Sequence, residues 1–130
     1  MANDTNEKKK ILMVDDDVIH LTTAELFLKD EYEIIKMKSG DEALEYVNNN
    51  KFVPHIILLD IMMPNMDGWE VLKRIKAIDF LKKVPIIFLT AVEEEMDMKK
   101  AFKMGVADYI MKPFNMTNLK GRIKDALKKA

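Results

Sequence analysis

Five side chains of this 130-residue sequence could do chemistry together if the fold collected them. Asp15 and Asp16 follow Ile11-Leu12-Met13-Val14, Asp60 follows Ile56-Ile57-Leu58-Leu59, Thr90 follows Ile86-Ile87-Phe88-Leu89, and Lys112 follows Tyr109-Ile110-Met111. Taken alone, Asp60 could equally be a turn or helix-capping aspartate. Three carboxylates brought together repel, each pair at 4 Å costing about 4 kcal/mol at an effective dielectric of 20. A raised pKa or a bound cation relieves this. Carboxylate oxygens with no histidine or cysteine expected nearby suit a hard ion, Mg²⁺ or Mn²⁺. A carboxylate beside such an ion, a lysine and a hydroxyl has the parts for phosphoryl transfer. Asp60 can attack phosphorus to give an acyl phosphate, Lys112 and the ion can neutralise developing charge, and Thr90 can donate to a phosphoryl oxygen. Ala91 is small and leaves access. Asp15-Asp16-Asp17 would repel a nucleotide phosphate, which argues against a flavodoxin-type phosphate site.

The elements that must position these groups alternate strictly. Short apolar runs bounded by turn residues predict strands at Ile11–Val14, Tyr32–Met37, the stretch ending at Asp60, Val84–Leu89 and Ala107–Met111. Between them, helical spacing appears in Leu21, Ala24 and Leu28 after an N-capping Asp17, and in Ala43, Leu44 and Val47 after the capping box Ser39-Gly40-Asp41-Glu42. Val71, Leu72, Ile75 and Ile78 follow a second such box, Asp67-Gly68-Trp69-Glu70. A fourth helix opens on Glu93-Glu94-Glu95, carries Lys99, Lys100 and Lys103 near its end, and stops at Gly105. Met116, Leu119, Ile123, Ala126 and Leu127 mark the last, slightly weakened by Gly121. Five strands alternating with five helices predict an α/β, doubly wound (βα)5 flavodoxin-like domain with a parallel five-stranded sheet in order 2-1-3-4-5. In that order the first and third strands flank the switch point, so Asp15, Asp16 and Asp60 converge.

Composition bounds the remaining possibilities. A net charge of −1 gives no electrostatic case for direct nucleic-acid or membrane binding. There are no cysteines, which removes disulfides and thiolate chemistry. No apolar run approaches the ~18 residues of a membrane span, and the polar start has no secretory pattern; a cytoplasmic protein is expected. Residues 1–8 read as a flexible tail and 9–128 as the domain. His20 and His55 lack partners at ligand spacing and read as structural or solvent-facing. Of eleven methionines, eight lie between Met62 and Met116. Most read as core filler, with Met96, Met98 and Met116 as a possible adaptable partner surface.

The motifs together resemble a response-regulator receiver domain over essentially residues 9–128. The resemblance rests on Ile11-Leu12-Met13-Val14-Asp15-Asp16-Asp17, Ile57-Leu58-Leu59-Asp60-Ile61-Met62-Met63-Pro64 with Met66-Asp67-Gly68, Leu89-Thr90-Ala91, and Gly105 through Phe114. It implies that Asp60 is the phospho-acceptor, that Asp16 ligates Mg²⁺ directly and Asp15 through water, and that Met62 offers its backbone carbonyl. It also implies that Thr90 and Lys112 contact the phosphoryl group, that Tyr109 is the switch aromatic, and that the Lys112–Pro113 bond is cis. The expected donor is a histidine kinase or phosphotransfer protein, and the expected output a stand-alone switch acting on an unknown downstream protein as a monomer or weak phosphorylation-dependent dimer. Met62 and Val92, both apolar, cannot position an attacking water, which predicts slow autodephosphorylation. Two rivals remain. An aspartyl-phosphate phosphatase or phosphomutase usually wants a second carboxylate where Met62 stands, and the intact set Asp16, Asp60, Thr90 and Lys112 speaks against a non-phosphorylated scaffold.

Overall fold

The apolar runs pair into one sheet in a computed structural model that describes residues 7–91 and 95–130. The strands are β1 (Lys9–Val14), β2 (Tyr32–Met37), β3 (Ile56–Asp60), β4 (Ile86–Thr90) and β5 (Asp108–Met111), all parallel, in the order β2-β1-β3-β4-β5. The helices are α1 (Val18–Leu28), α2 (Gly40–Asn50), α3 (Gly68–Lys76), α4 (Glu95–Lys103) and α5 (Met116–Lys129), with a short 3₁₀ turn at Asp79–Leu81. Fold class and strand order are those the sequence predicts.

Period-two alternation along the central strands divides the interior into two cores. Leu12, Val14, Ile57, Leu59 and Phe88 face Val47, Leu72, Ile75 and Ala101, so α2, α3 and α4 cover one side. Ile11, Met13, Ile56, Leu58, Ile87 and Leu89 face Leu21, Leu28, Leu119 and Ile123, so α1 and α5 cover the other. Each fully buried aliphatic side chain stabilises by roughly 1.5–3 kcal/mol. Every residue of β3 and β4 is buried, which mounts their carboxyl ends on well-packed strands. Register fixes those ends level with one another: Val14 opposes Leu59, Asp60 opposes Leu89, and Thr90 opposes Met111.

Caps form as the sequence implies, with two differences. Asp17 accepts from the Ile19 amide, Ser39 from Glu42 and Asp67 from Glu70. Glu42 reaches back to the amide of Lys38 rather than Ser39. Glu70 does not reach back; its carboxylate takes Arg74 one turn on at 2.8 Å. Gly105 adopts φ 98° just beyond α4 and is the helix stop expected of it. Pro85 cannot join the ladder through nitrogen, so β4 starts at Ile86, and β5 starts at Asp108, each later than the apolar pattern suggested. The Lys112–Pro113 bond is cis. Val92, Glu93 and Glu94, and residues 1–6 of the expected tail, lie outside the described residues.

Among the methionines, Met13 and Met63 are buried, while Met66, Met98, Met104 and Met116 pack against the cores. Met62 and Met96 are exposed. Of the surface expected of Met96, Met98 and Met116, Met96 is exposed, while Met98 and Met116 are half-buried against the cores.

Candidate functional site

Sheet order brings three carboxylates to one crevice. Asp15 leaves the end of β1, Asp16 follows it, and Asp60 closes β3; one oxygen from each lies within 4.8 Å of the others. Asp15 and Asp60 are buried and Asp16 is exposed. Asp15 is tied by its Oδ1 to the amide of Asp17 at 2.9 Å, and Asp60 accepts from the Met62 amide at 3.3 Å. Thr90 at the end of β4 is fully buried.

Lys112 enters from the end of β5, where its backbone amide donates to the Thr90 carbonyl at 2.7 Å. Its ammonium sits closer to Asp15 than to Asp60: Nζ is 3.2 Å from Asp15 Oδ2 and 3.8 Å from Asp60 Oδ2. The Asp60 carboxyl is pushed up to about 6 from 3.8. Burial is the largest cause, Lys112 opposes it, and the charges of Asp15 and then Asp16 add smaller increments. Mutual repulsion of the aspartates is therefore secondary to removal of Asp60 from water, a different weighting from the one the carboxylate count suggests.

The residues fit a hard divalent cation. Three carboxylate oxygens converge at ligand spacing, one of them on an exposed residue that leaves room for coordinated water, and the buried Asp60 is held in its costly charged form by too little positive charge.

Sequence reasoning placed Tyr109 beside this site. Its ring is buried on the α3–α4 side of the sheet, 6.2 Å from Phe88, which in turn meets Trp69 at 5.2 Å. Lys100 stacks over Trp69 at 4.4 Å, so an aromatic row runs from β5 across β4 to α3 and α4.

Two residues of the site escaped the sequence reading. His20, read as structural or solvent-facing, has its Nδ1 3.1 Å from Asp15 Oδ2 and 3.0 Å from Lys112 Nζ. The overlooked signal is positional: His20 is the third residue of α1, and a side chain there reaches back toward the cap and the strand end before it. Gly68 is the other. A Cβ there would lie 2.5 Å from the Asp60 carbonyl oxygen and 2.6 Å from Ile61 Cα, so only glycine lets α3 start this close to the acceptor strand. His55 does behave as expected, accepting from the Lys10 amide at 2.9 Å at the far end of the sheet.

This arrangement has relatives. Residues 11–124 match the family described as the response regulator receiver domain. The chain belongs to that family. Among curated relatives, this receiver domain is 38% identical over 118 residues to the transcriptional regulatory protein CrdR of Helicobacter pylori, covering 90% of this chain and 54% of that protein. It is 36% identical over 123 residues to the alkaline phosphatase synthesis transcriptional regulatory protein PhoP of Bacillus subtilis, covering 94% and 50%. The chain thus spans about half the length of these relatives. Among solved structures, a CheY-like response regulator receiver domain protein from Methanospirillum hungatei superposes with a TM-score of 0.84 at 31% identity, covering 95% of this chain and 96% of that one. Receiver domains are signalling modules of two-component response regulators that bind Mg²⁺ at an acidic pocket, and this one has an acidic cluster of Asp15, Asp16 and Asp60. Among the described residues no helix is long and apolar enough to cross a membrane.

Proposed function

We propose that this chain is a phosphorylation-controlled switch in which Asp60 accepts a phosphoryl group from a phosphohistidine of a sensor kinase or phosphotransfer protein. The observation that carries this reading is Asp60 itself: a buried carboxylate at the end of a fully buried strand, with a carboxylate pair within 4.8 Å and an ammonium at 3.8 Å. An Asp60 oxygen bonds to phosphorus as the phosphorus–nitrogen bond breaks, and the departing imidazole keeps the electron pair of that bond. Lys112 supplies positive charge to the phosphoryl oxygens, and Thr90 supplies a hydroxyl at the end of the adjacent strand. Asp15, Asp16, Asp60 and the Met62 carbonyl would hold Mg²⁺ or Mn²⁺, which offsets negative charge on the oxygens being transferred. Formation and loss of the acyl phosphate are self-catalysed, so the protein is a switch rather than an enzyme acting on others.

The phosphorylated state is read through Thr90, Tyr109 and the face of α4, β5 and α5, by a shift between two conformations rather than a new fold. The receiver unit runs over 9–128 in a cytoplasmic protein, and its output passes to a downstream protein, without direct nucleic-acid or membrane contact, as a monomer or a weak phosphorylation-dependent dimer.

The test is intact mass after incubation with Mg²⁺ and a small phosphodonor. Acid- and base-labile addition of one phosphoryl group that vanishes in Asp60→Asn supports the switch. Rapid consumption of donor without accumulation favours a phosphatase or phosphomutase, and no labelling with any donor favours a scaffold.

A further inference from the structure

We infer that His20 is a positioning residue for Lys112, itself oriented by Asp17, and that this pair sets where the lysine ammonium waits before phosphoryl transfer; its kinetic consequence rests on the switch proposed above. His20 Nδ1 faces the Lys112 ammonium at 3.0 Å and the Asp15 carboxylate at 3.1 Å. One ring nitrogen can serve only one of these neighbours: bare, it accepts from an ammonium, and protonated, it donates to a carboxylate. The second nitrogen decides. His20 Nε2 lies 3.4 Å from Asp17 Oδ2, and a carboxylate there selects the tautomer with its proton on Nε2. That tautomer turns an N–H toward Asp17 and a lone pair toward Lys112. The opposite one would gain a hydrogen bond to Asp15, whose Oδ2 already accepts from Lys112, but would set a lone pair against Asp17 and an N–H against the ammonium.

The remaining demand of Asp15 is met by Lys112, whose ammonium donates to Asp15 Oδ2 at 3.2 Å. Of its three N–H groups, Lys112 thus commits one to Asp15 and one to His20, which leaves the third for a phosphoryl oxygen. Asp15 is shared with the cation site, whereas His20 lies outside the convergent carboxylate cluster and can accept from the lysine. Asp17, the third carboxylate of the run and outside the convergent cluster, thereby has a task besides capping α1. The arrangement follows the logic by which a carboxylate fixes the ring and tautomer of a histidine so that its other nitrogen points usefully.

The experiment uses the full chain labelled with ¹⁵N. A hydrogen-bonded, shielded lysine ammonium exchanges slowly enough to give its own ¹H–¹⁵N signal, assigned to Lys112 by its loss in Lys112→Arg. The expected result is that this signal disappears in His20→Ala and returns in His20→Asn, whose amide oxygen can occupy the place of Nδ1. Asp17→Asn, which keeps the helix cap, weakens it. Acyl phosphate accumulates roughly three- to tenfold more slowly in His20→Ala, the change expected when one ordinary, half-exposed hydrogen bond is lost, and near the wild-type rate in His20→Asn. An unchanged Lys112 signal in His20→Ala overturns the inference, as does a His20→Asn variant that matches His20→Ala in both readouts. Failure of the wild type to be labelled would count against the proposed switch instead, because the ammonium signal is read without any phosphodonor.

Discussion

At neutral pH, Asp60 carries a charge that its surroundings resist, and replacing it with asparagine should make the metal-free protein more stable. The gap between 3.8 and about 6, at about 1.4 kcal/mol per pH unit, amounts to about 3 kcal/mol. The sign follows from linkage: the folded state binds this proton more tightly than the unfolded state does. The stabilisation from that proton is complete below pH 3.8 and is lost as pH rises through about 6. Asparagine stays neutral throughout, keeps the size of the side chain, and keeps an acceptor for the Met62 amide, which reaches Asp60 Oδ1 at 3.3 Å. The variant should therefore match wild type below pH 4 and exceed it by about 3 kcal/mol at pH 8, a large share of the ~5–15 kcal/mol that holds a domain together.

Urea unfolding in chelator-containing buffer, repeated from pH 3.5 to 8, measures this, since titrating groups away from the crevice are common to both proteins and cancel. Adding Mg²⁺ should then raise the stability of wild type, by about 2.7 kcal/mol at a hundredfold excess over its dissociation constant, and raise that of the variant much less. A stability difference between the two proteins that does not change with pH would refute the reasoning. It would mean that Lys112, 3.8 Å away, already offsets the cost of burial.

Three further predictions follow from local geometry. Gly68→Ala forces a methyl against the Asp60 carbonyl and Ile61 Cα, so it should cost about 1–3 kcal/mol and slow phosphorylation, both read in one preparation by denaturation and intact mass; wild-type behaviour in both would mean that the α3 entry is loosely held. Gly121→Ala, inside α5 with nothing within 4 Å of the added carbon, should instead stabilise by about 0.5–1 kcal/mol, and a lower melting temperature would show that the position is not open. Met62 is exposed beside the acceptor, so replacing Met62 and Val92 by Gln and Thr should shorten the acyl-phosphate lifetime; an unchanged decay of the phosphorylated mass would sink the link between those apolar residues and slow hydrolysis.

Strand order, helix number and the convergence of Asp15, Asp16 and Asp60 were legible because each rests on a strong periodic signal and a handedness rule. Strand starts were less so: the apolar pattern runs through Val84 and Ala107, but pairing begins only at Ile86 and Asp108, where a partner strand is in register. His20 was misjudged for a related reason. Residue spacing ties His20 to its own helix, while its significant neighbour Lys112 lies 92 positions away, across the sheet edge. Gly68 reads in sequence as part of a helix start, and its close approach to Asp60 depends on where the chain returns after Pro64.

The same burial explains both the cost and the use of Asp60. A solvated aspartate would ionise freely and bring no free-energy gradient to cation binding, whereas this one is charged against a desolvation penalty that Lys112 only partly offsets. Any ligand that brings positive charge to the crevice is bound partly by relieving that penalty, and the phosphorylation proposed above would replace the carboxylate with an acyl phosphate, a mixed anhydride carrying its charge farther from the strand. Lys112 must follow that charge outward, which is why it matters that its present anchors are Asp15 and His20 rather than Asp60. An ammonium locked at hydrogen-bond distance to Asp60 would quench the nucleophile. Held 3.8 Å off, it lowers the charge barrier while leaving the attacking oxygen's lone pairs uncommitted to it.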